Sequence, residues 1–181
     1  MLALQIKIIA TPIFVMLAVG VFSFITLERY ISSTLLDMTE KELTRAASSV
    51  VETIHSFETT PTIVQLNQLS DRISQVWGVR VTIIAADGAV LGDSMLTVEA
   101  VKEVDNHGLR PEIVTARKVG IGVARRFSSS VGEELLYIAV LDDHPQPKSL
   151  PPEIAHVNDK GIRNYVVRVS IPVSSIHKNI V

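Results

Sequence analysis

The run "IIATPIFVMLAVGVFSFITL", residues 8–27, contains no charged side chain. At about 1.5 Å of rise per residue, a helix of that length covers roughly 30 Å, the thickness of a bilayer's hydrocarbon core. The run therefore reads as a membrane span, and it is the local source of a mean hydropathy of +0.33 in a chain that is 20% charged. A cleaved signal peptide fits less well, because the apolar stretch exceeds about 15 residues and no small-residue cleavage site follows it. Pro12 sits where it can occupy the first turn of the span or kink it. Lys7 flanks one end while Glu28, Arg29, Lys41 and Arg45 follow the other, so charge assigns no orientation.

The remaining composition excludes more than it selects. Seventeen basic residues against nineteen acidic ones, dispersed along the chain, give no footprint for a nucleic-acid partner. With no cysteine there is no disulfide, thiol nucleophile or zinc-thiolate site. No cofactor-binding motif is present, and none is expected.

Beyond the span, residues 28–57 contain neither proline nor glycine, and apolar residues recur seven apart at Leu36, Leu43, Val50 and Phe57. That spacing suits a helical stalk on which two copies of the chain pair, with Ala46 and Ala47 allowing close approach. It suits equally well a stripe packed against the chain's own sheet. "ETTPT" breaks the helix, and a second amphipathic helix follows through Ile63, Leu66, Leu69, Ile73 and Val76.

From Val79 the pattern changes to alternation, and Asp87-Gly88 marks a β-hairpin. Short helices are expected over Met95–Val104 and over Pro111–Lys118, the latter with Pro111 in its first turn. Three strands follow, "VARRFSSS", "ELLYIAVL" and "NYVVRVSIPV". The second is apolar on both faces, as an interior strand should be. In the third, Tyr165, Val167, Val169, Ile171 and Val173 share a face. A proline-rich segment, 142–163, separates the last two strands and reads as a long loop. "SSIHKNIV" starts a helix with Ser174 or Ser175 as its cap, expected to lead into a second membrane span. The order predicts an α+β fold, an antiparallel five-stranded sheet with helices on one side, preceded by a transmembrane helix and a long stalk.

Five short segments in this order, "ADGAVLGDS", "NHGLRPEI", "GVARRFSSS", "ELLYIAV" and "VVRVSIPVSSI", resemble the extracytoplasmic sensor domain of phosphate-regulon-type bacterial sensor histidine kinases. The resemblance runs from about Val79 to Val173 and implies a PAS-like fold. The proline-rich segment departs from the family pattern. The implied organisation is a membrane helix over 1–27, a helical stalk and second helix over 28–76, the sensor domain over 77–174, and a membrane-directed helix from 175. Such a receptor would sit in the inner membrane as a homodimer with its sensor domain outside the cytoplasm. It would pass its cue to a kinase absent from this chain, since no histidine here precedes Glu-Leu-Arg. A chemotaxis-type or other receptor lacking a kinase output carries the same input.

Candidate chemistry is sparse. Ser128, Ser129 and Ser130 with His107 lack the strand-turn-helix elbow of a nucleophile, so no catalytic residue is assigned. Arg125 and Arg126 are adjacent in a strand, so only one of them faces the short helices. That one, with Arg110 and His107, could bind a small anion through forked donors, or could pair with Glu112 or Glu133 to brace helix on sheet. A membrane protein partner is the other source of signal. Asp142, Asp143, His144, His156 and Asp159 match no metal-ligand spacing, and no metal site is assigned.

Overall fold

The computed structural model describes residues 2–57, 61–129, 131–142 and 165–178. They form two units, 1–39 and 40–181. Helix α1 (Leu2–His55) contributes to both.

In the first unit, α1 is long and apolar enough to cross a membrane. Large apolar side chains from Ile13 to Leu27 are exposed, as lipid-facing residues should be. Hydroxyls along this stretch bond back into the helix: Thr26 Oγ1 donates to the Phe22 and Ser23 carbonyls.

In the second unit, Leu43, Ala46, Ala47, Val50, Val51 and Ile54 of α1 are buried, a stripe at three- and four-residue spacing. Leu43 and Val50 thus face this chain's own core. Pairing of two copies through them is replaced by the packing that the same stripe also allowed. The periodicity alone could not separate the two outcomes, because both bury one face of a helix. Leu36 and Phe57, at the ends of the stripe, are half-buried.

Helix α2 (Ile63–Trp77) is stopped at both ends by its own sequence. Thr62 and Gln65 form a reciprocal capping box, and Gly78 closes the helix at φ 66°, where a side chain would be strained. Leu66 and Leu69 are buried, whereas Val76 in the last turn is exposed.

Strands β1 (Arg80–Ile84), β2 (Val90–Asp93), β3 (Ile121–Ser128), β4 (Glu133–Leu141) and β5 (Val166–Pro172) form one antiparallel sheet in the order β2-β1-β5-β4-β3. Helices α3 (Val98–Glu103) and α4 (Pro111–Val119) lie in the connection from β2 to β3. The register sets Thr82 beside Arg168 and Ala139 beside Arg168, so these residues share one face with Tyr137. Helix α4 covers that face, where Ile84, Ile113, Ala116, Ala139 and Val166 pack together.

The opposite face carries Val81, Ile83, Leu136, Ile138, Val167 and Val169, all buried. It too needs cover, because strands apolar on both faces cannot leave either to water. Helix α2 approaches it at Gly92, whose ideal Cβ would lie 2.9 Å from the Leu66 backbone. The C-terminal part of α1 joins it through Tyr165, whose hydroxyl donates to the Val51 carbonyl at 3.2 Å. The expected α+β architecture with its five-stranded antiparallel sheet is present, with α4 on one side and α2 on the other.

Helix α5 begins at Val173, directly after β5. Neither serine caps it: Ser174 donates to Glu133 and Ser175 to the Pro172 carbonyl. The segment 143–164, and with it Asp143, His144, His156 and Asp159, lies outside the described residues. Asp142 is buried and pairs with His55 at 2.8 Å.

Gly122 sets how closely α4 can approach β3, since a Cβ there would collide with the Glu112 carbonyl and lie 2.8 Å from the Ala116 nitrogen. Gly122→Ala should therefore destabilise the full chain by about 1–3 kcal/mol through overpacking. Thermal melts in detergent micelles check this, and an unchanged midpoint would show that α4 is not seated on the strand.

Candidate functional site

A cavity of about 350 Å³ lies on the α4 face of the sheet, lined by polar strand residues and by the segment that leads from β2 to α4. Arg80, Asp93, Arg126, Tyr137 and Arg168 come from the five strands, and Leu96, Val104, Asp105, His107 and Arg110 from the covering segment. That volume is in the range of small-molecule sites.

The covering segment is held in place by the β1–β2 hairpin. Gly88 adopts φ 93°, and its carbonyl accepts from the His107 backbone N–H at 2.8 Å. Asn106 donates to the Asp87 carbonyl and accepts from the Gly108 N–H. A Cβ on Gly88 would strike the Asn106 side chain, so the turn requires glycine both for its backbone angle and for this approach. Arg117 of α4 ties the same parts together, donating to the carbonyls of Ala85 and Gly108.

Each charged group at the floor has a distinct role. Asp93 is buried and saturated: it accepts from Arg80 Nε at 3.0 and 3.1 Å, from the Thr82 hydroxyl at 2.8 Å and from the Met95 N–H at 2.9 Å. Asn67 of α2 anchors it further by accepting the Asp93 N–H. Asp93 is structural on this account.

Glu112, in the first turn of α4, is 0% exposed. A carboxylate near a helix N-terminus is favoured by the helix dipole. Its Oε1 accepts from Arg126 at 3.2 Å and from Arg168 at 3.4 Å. Arg168, in the middle strand, is 3% exposed and also donates to the Thr82 hydroxyl at 3.1 Å. Burial pulls the Arg168 pKa below its ordinary value, and the Glu112 charge opposes that shift. A guanidinium stays protonated regardless. The Tyr137 ring lies under both cations, 4.0 Å from the Arg126 guanidinium carbon and 5.2 Å from that of Arg168.

Of the residues the sequence suggested, Arg126, Arg110 and His107 meet at the cavity, and Arg125 does not. Strand alternation sends Arg125 to the other face, where it is exposed. Arg126 also makes the brace with Glu112 that was the alternative role for this pair. Arg110 caps α4 by position only, without a side-chain cap bond.

His107 is at the cavity, but its environment disfavours the protonated ring. Burial first, then the charge of Arg168, lowers its pKa from 6.5, while the Asp105 carbonyl, accepting from Nδ1 at 2.7 Å, offsets part of the shift. The ring is therefore neutral at pH 7. With the proton assigned to Nδ1, its other nitrogen is an acceptor and offers an anion no hydrogen bond.

Arg168, Arg80 and Tyr137 were missed. Arg168 lies in "VVRVS", where a lone arginine amid β-branched residues reads as the solvent face of a strand. A signal existed: a strand buried on both faces that keeps one arginine needs an acidic partner.

No family model matches the chain, and no curated protein matches it. Solved structures similar to it include the Vibrio cholerae histidine kinase DctB sensor domain, at 16% identity over 81% of this chain and 59% of that one, with a TM-score of 0.48. An extracellular ligand binding receptor from Desulfohalobium retbaense is similar at 11% identity over 78% of this chain and 26% of that one, with a TM-score of 0.50. The sensory domain of the Campylobacter jejuni chemoreceptor Tlp3, solved with isoleucine bound, gives 12% identity over 81% of this chain and 64% of that one, with a TM-score of 0.44. The chain spans less than two thirds of each of these structures. At 11% identity, the likeness to the extracellular receptor is one of fold.

Two measurements check the site's electrostatics. Arg168→Met leaves the buried Glu112 carboxylate with Arg126 alone and should cost about 3–5 kcal/mol in urea unfolding of the full chain. Adding Glu112→Leu removes the stranded charge and should recover most of that loss, whereas additive costs would show that the two are uncoupled. Because folding lowers the His107 pKa, the unfolded chain binds the extra proton. Stability from this group is complete above 6.5 and declines as pH falls toward the folded-state value. His107→Asn should flatten the stability profile between about pH 7 and 5, and an identical slope in both proteins would sink this assignment.

Proposed function

We propose that this chain is the signal-input region of a membrane sensor histidine kinase, with the sheet outside the cytoplasm and the kinase beyond these residues. The observation that carries the reading is β5. This middle strand holds Arg168 at the cavity floor and runs without a break into α5 at Val173. A change in what surrounds Arg168 is thereby passed to the last described helix through a few residues of hydrogen-bonded strand. The charge-free run 8–27 within α1 and the fold shared with an extracellular receptor support the same reading. The sequence resemblance favours the phosphate-regulon type of kinase, a two-component phosphorelay and a bacterial inner-membrane location.

The cue is a ligand, or a membrane protein partner, that favours one of two packings of the α3–α4 cover on the sheet. Such a shift needs only a few kcal/mol of differential binding. We also propose that the protein works as a homodimer. Its pairing surface is the part of α1 left uncovered, where Ile31 and Met38 are exposed and seven residues apart.

Two fusions test the proposal. Alkaline phosphatase joined after Lys178 in a bacterial host should be active, since it folds only outside the cytoplasm; an inactive fusion together with a fluorescent cytoplasmic one overturns the topology. Residues 1–178 fused to the N-terminal end of a histidine kinase's own second membrane helix and catalytic region should give a basal output that Arg168→Lys changes several-fold. A stably inserted chimera whose output ignores every cavity substitution would count against a sensing role.

A further inference from the structure

The buried charges beneath the cavity are incompletely paired. Glu112 gives both of its arginine contacts through one oxygen, and at 3.2 and 3.4 Å they are long beside the roughly 2.7–2.9 Å of well-formed charge-assisted bonds. Among the described residues its Oε2 has no hydrogen-bond partner, and neither has Nε of Arg126 or of Arg168. Buried polar atoms are rarely left so, and three of them on one ion cluster point to a partner that the described residues do not supply.

The charge balance points the same way. Four guanidinium groups line the cavity, those of Arg80, Arg110, Arg126 and Arg168, together with the carboxylates of Asp93 and Asp105. Glu112 lies beneath as a third carboxylate, which among the described residues leaves one positive charge uncompensated. His107 is neutral and does not alter that sum. Asp93 is fully engaged with Arg80, Thr82 and the Met95 N–H, so its charge is not available to the other cations. Arg110 has no ion pair among the described residues. Leu96 and Val104 add apolar wall to an otherwise polar lining.

We propose that the cavity binds a small monocarboxylate with a short apolar tail, whose carboxylate takes donors of Arg126 and Arg168 in competition with Glu112. The proposal rests on reading the cavity as the place where the signal enters. Glu112 is then a resident counter-ion, occupying with one oxygen the donors that the ligand occupies with two. Because Glu112 belongs to α4 and Arg168 to β5, exchanging one carboxylate for the other loosens the helix from the strand that leads into α5. No covalent step is involved, and the single ligand charge neutralises the single excess charge.

Isothermal titration of the full chain in detergent micelles, at pH 7.5 and matched ionic strength, would use sodium butyrate, sodium succinate and inorganic phosphate. Butyrate should bind saturably and more tightly than either dianion. Arg126→Gln should weaken it by about tenfold or more, the loss of a charged hydrogen bond. Glu112→Gln, which keeps the shape and removes the competing charge, should bind it at least about threefold more tightly. In the wild-type protein, butyrate should speed amide exchange over residues 111–119, a readout that survives if Glu112→Gln does not fold. Absence of butyrate binding, preference for succinate or phosphate, unaltered affinity in a folded Glu112→Gln, or slowed exchange over 111–119 each overturn the proposal. Failed binding beside a responsive kinase chimera removes only this proposal, and binding beside an unresponsive chimera removes only the sensing function.

Discussion

Glu112 sits with no exposed surface at the meeting point of β3, β5 and α4, and its one bonded oxygen is shared by two guanidinium groups. Taking such charges out of water costs several kcal/mol each, and an apolar cluster of the same volume would serve stability at least as well. What the ion cluster supplies is a link between elements that otherwise touch through apolar contacts without direction. Apolar packing tolerates sliding, whereas a charge separated from its partner inside a protein is strongly penalised. The position of α4 over the sheet is therefore tied to the state of these three side chains.

The second determinant is close backbone approach. Gly88 lets the loop carrying His107 and Arg110 rest on the hairpin, Gly122 lets the first turn of α4 settle on β3, and Gly92 lets α2 reach β2. Each contact positions cover without spending a side chain on it. This gives a physical reason for "ADGAVLGDS", "NHGLRPEI" and "GVARRFSSS" to travel together: the first holds the second in place, and the third accepts the helix that the second begins.

Helix α1 serves two environments in one continuous element. From Ile13 to Leu27 it exposes apolar surface all round, while from Leu43 only one stripe is apolar and that stripe is buried. The change from apolar all round to one-sided is the change from lipid solvation to packing against a core.

How much of this was legible follows from which interactions are local. The long apolar helix, the second amphipathic helix, the Asp87-Gly88 hairpin and the alternating strands each depend on neighbours within a few residues, and the sequence alone determined them. It also placed Arg126 and Arg125 on opposite faces, since that follows from strand geometry. It could not choose between two uses of the Leu43–Val50 stripe, because a partner helix and an intramolecular sheet bury the same side chains. Nor could it bring Arg168 to Glu112 or Arg80 to Asp93, because those pairings arise from strand order β2-β1-β5-β4-β3 and from α4 crossing the sheet. Only the tertiary structure decided that an arginine in an apolar strand is buried, that burial beside it lowers the His107 pKa, and that the described residues around the cavity leave one positive charge unbalanced.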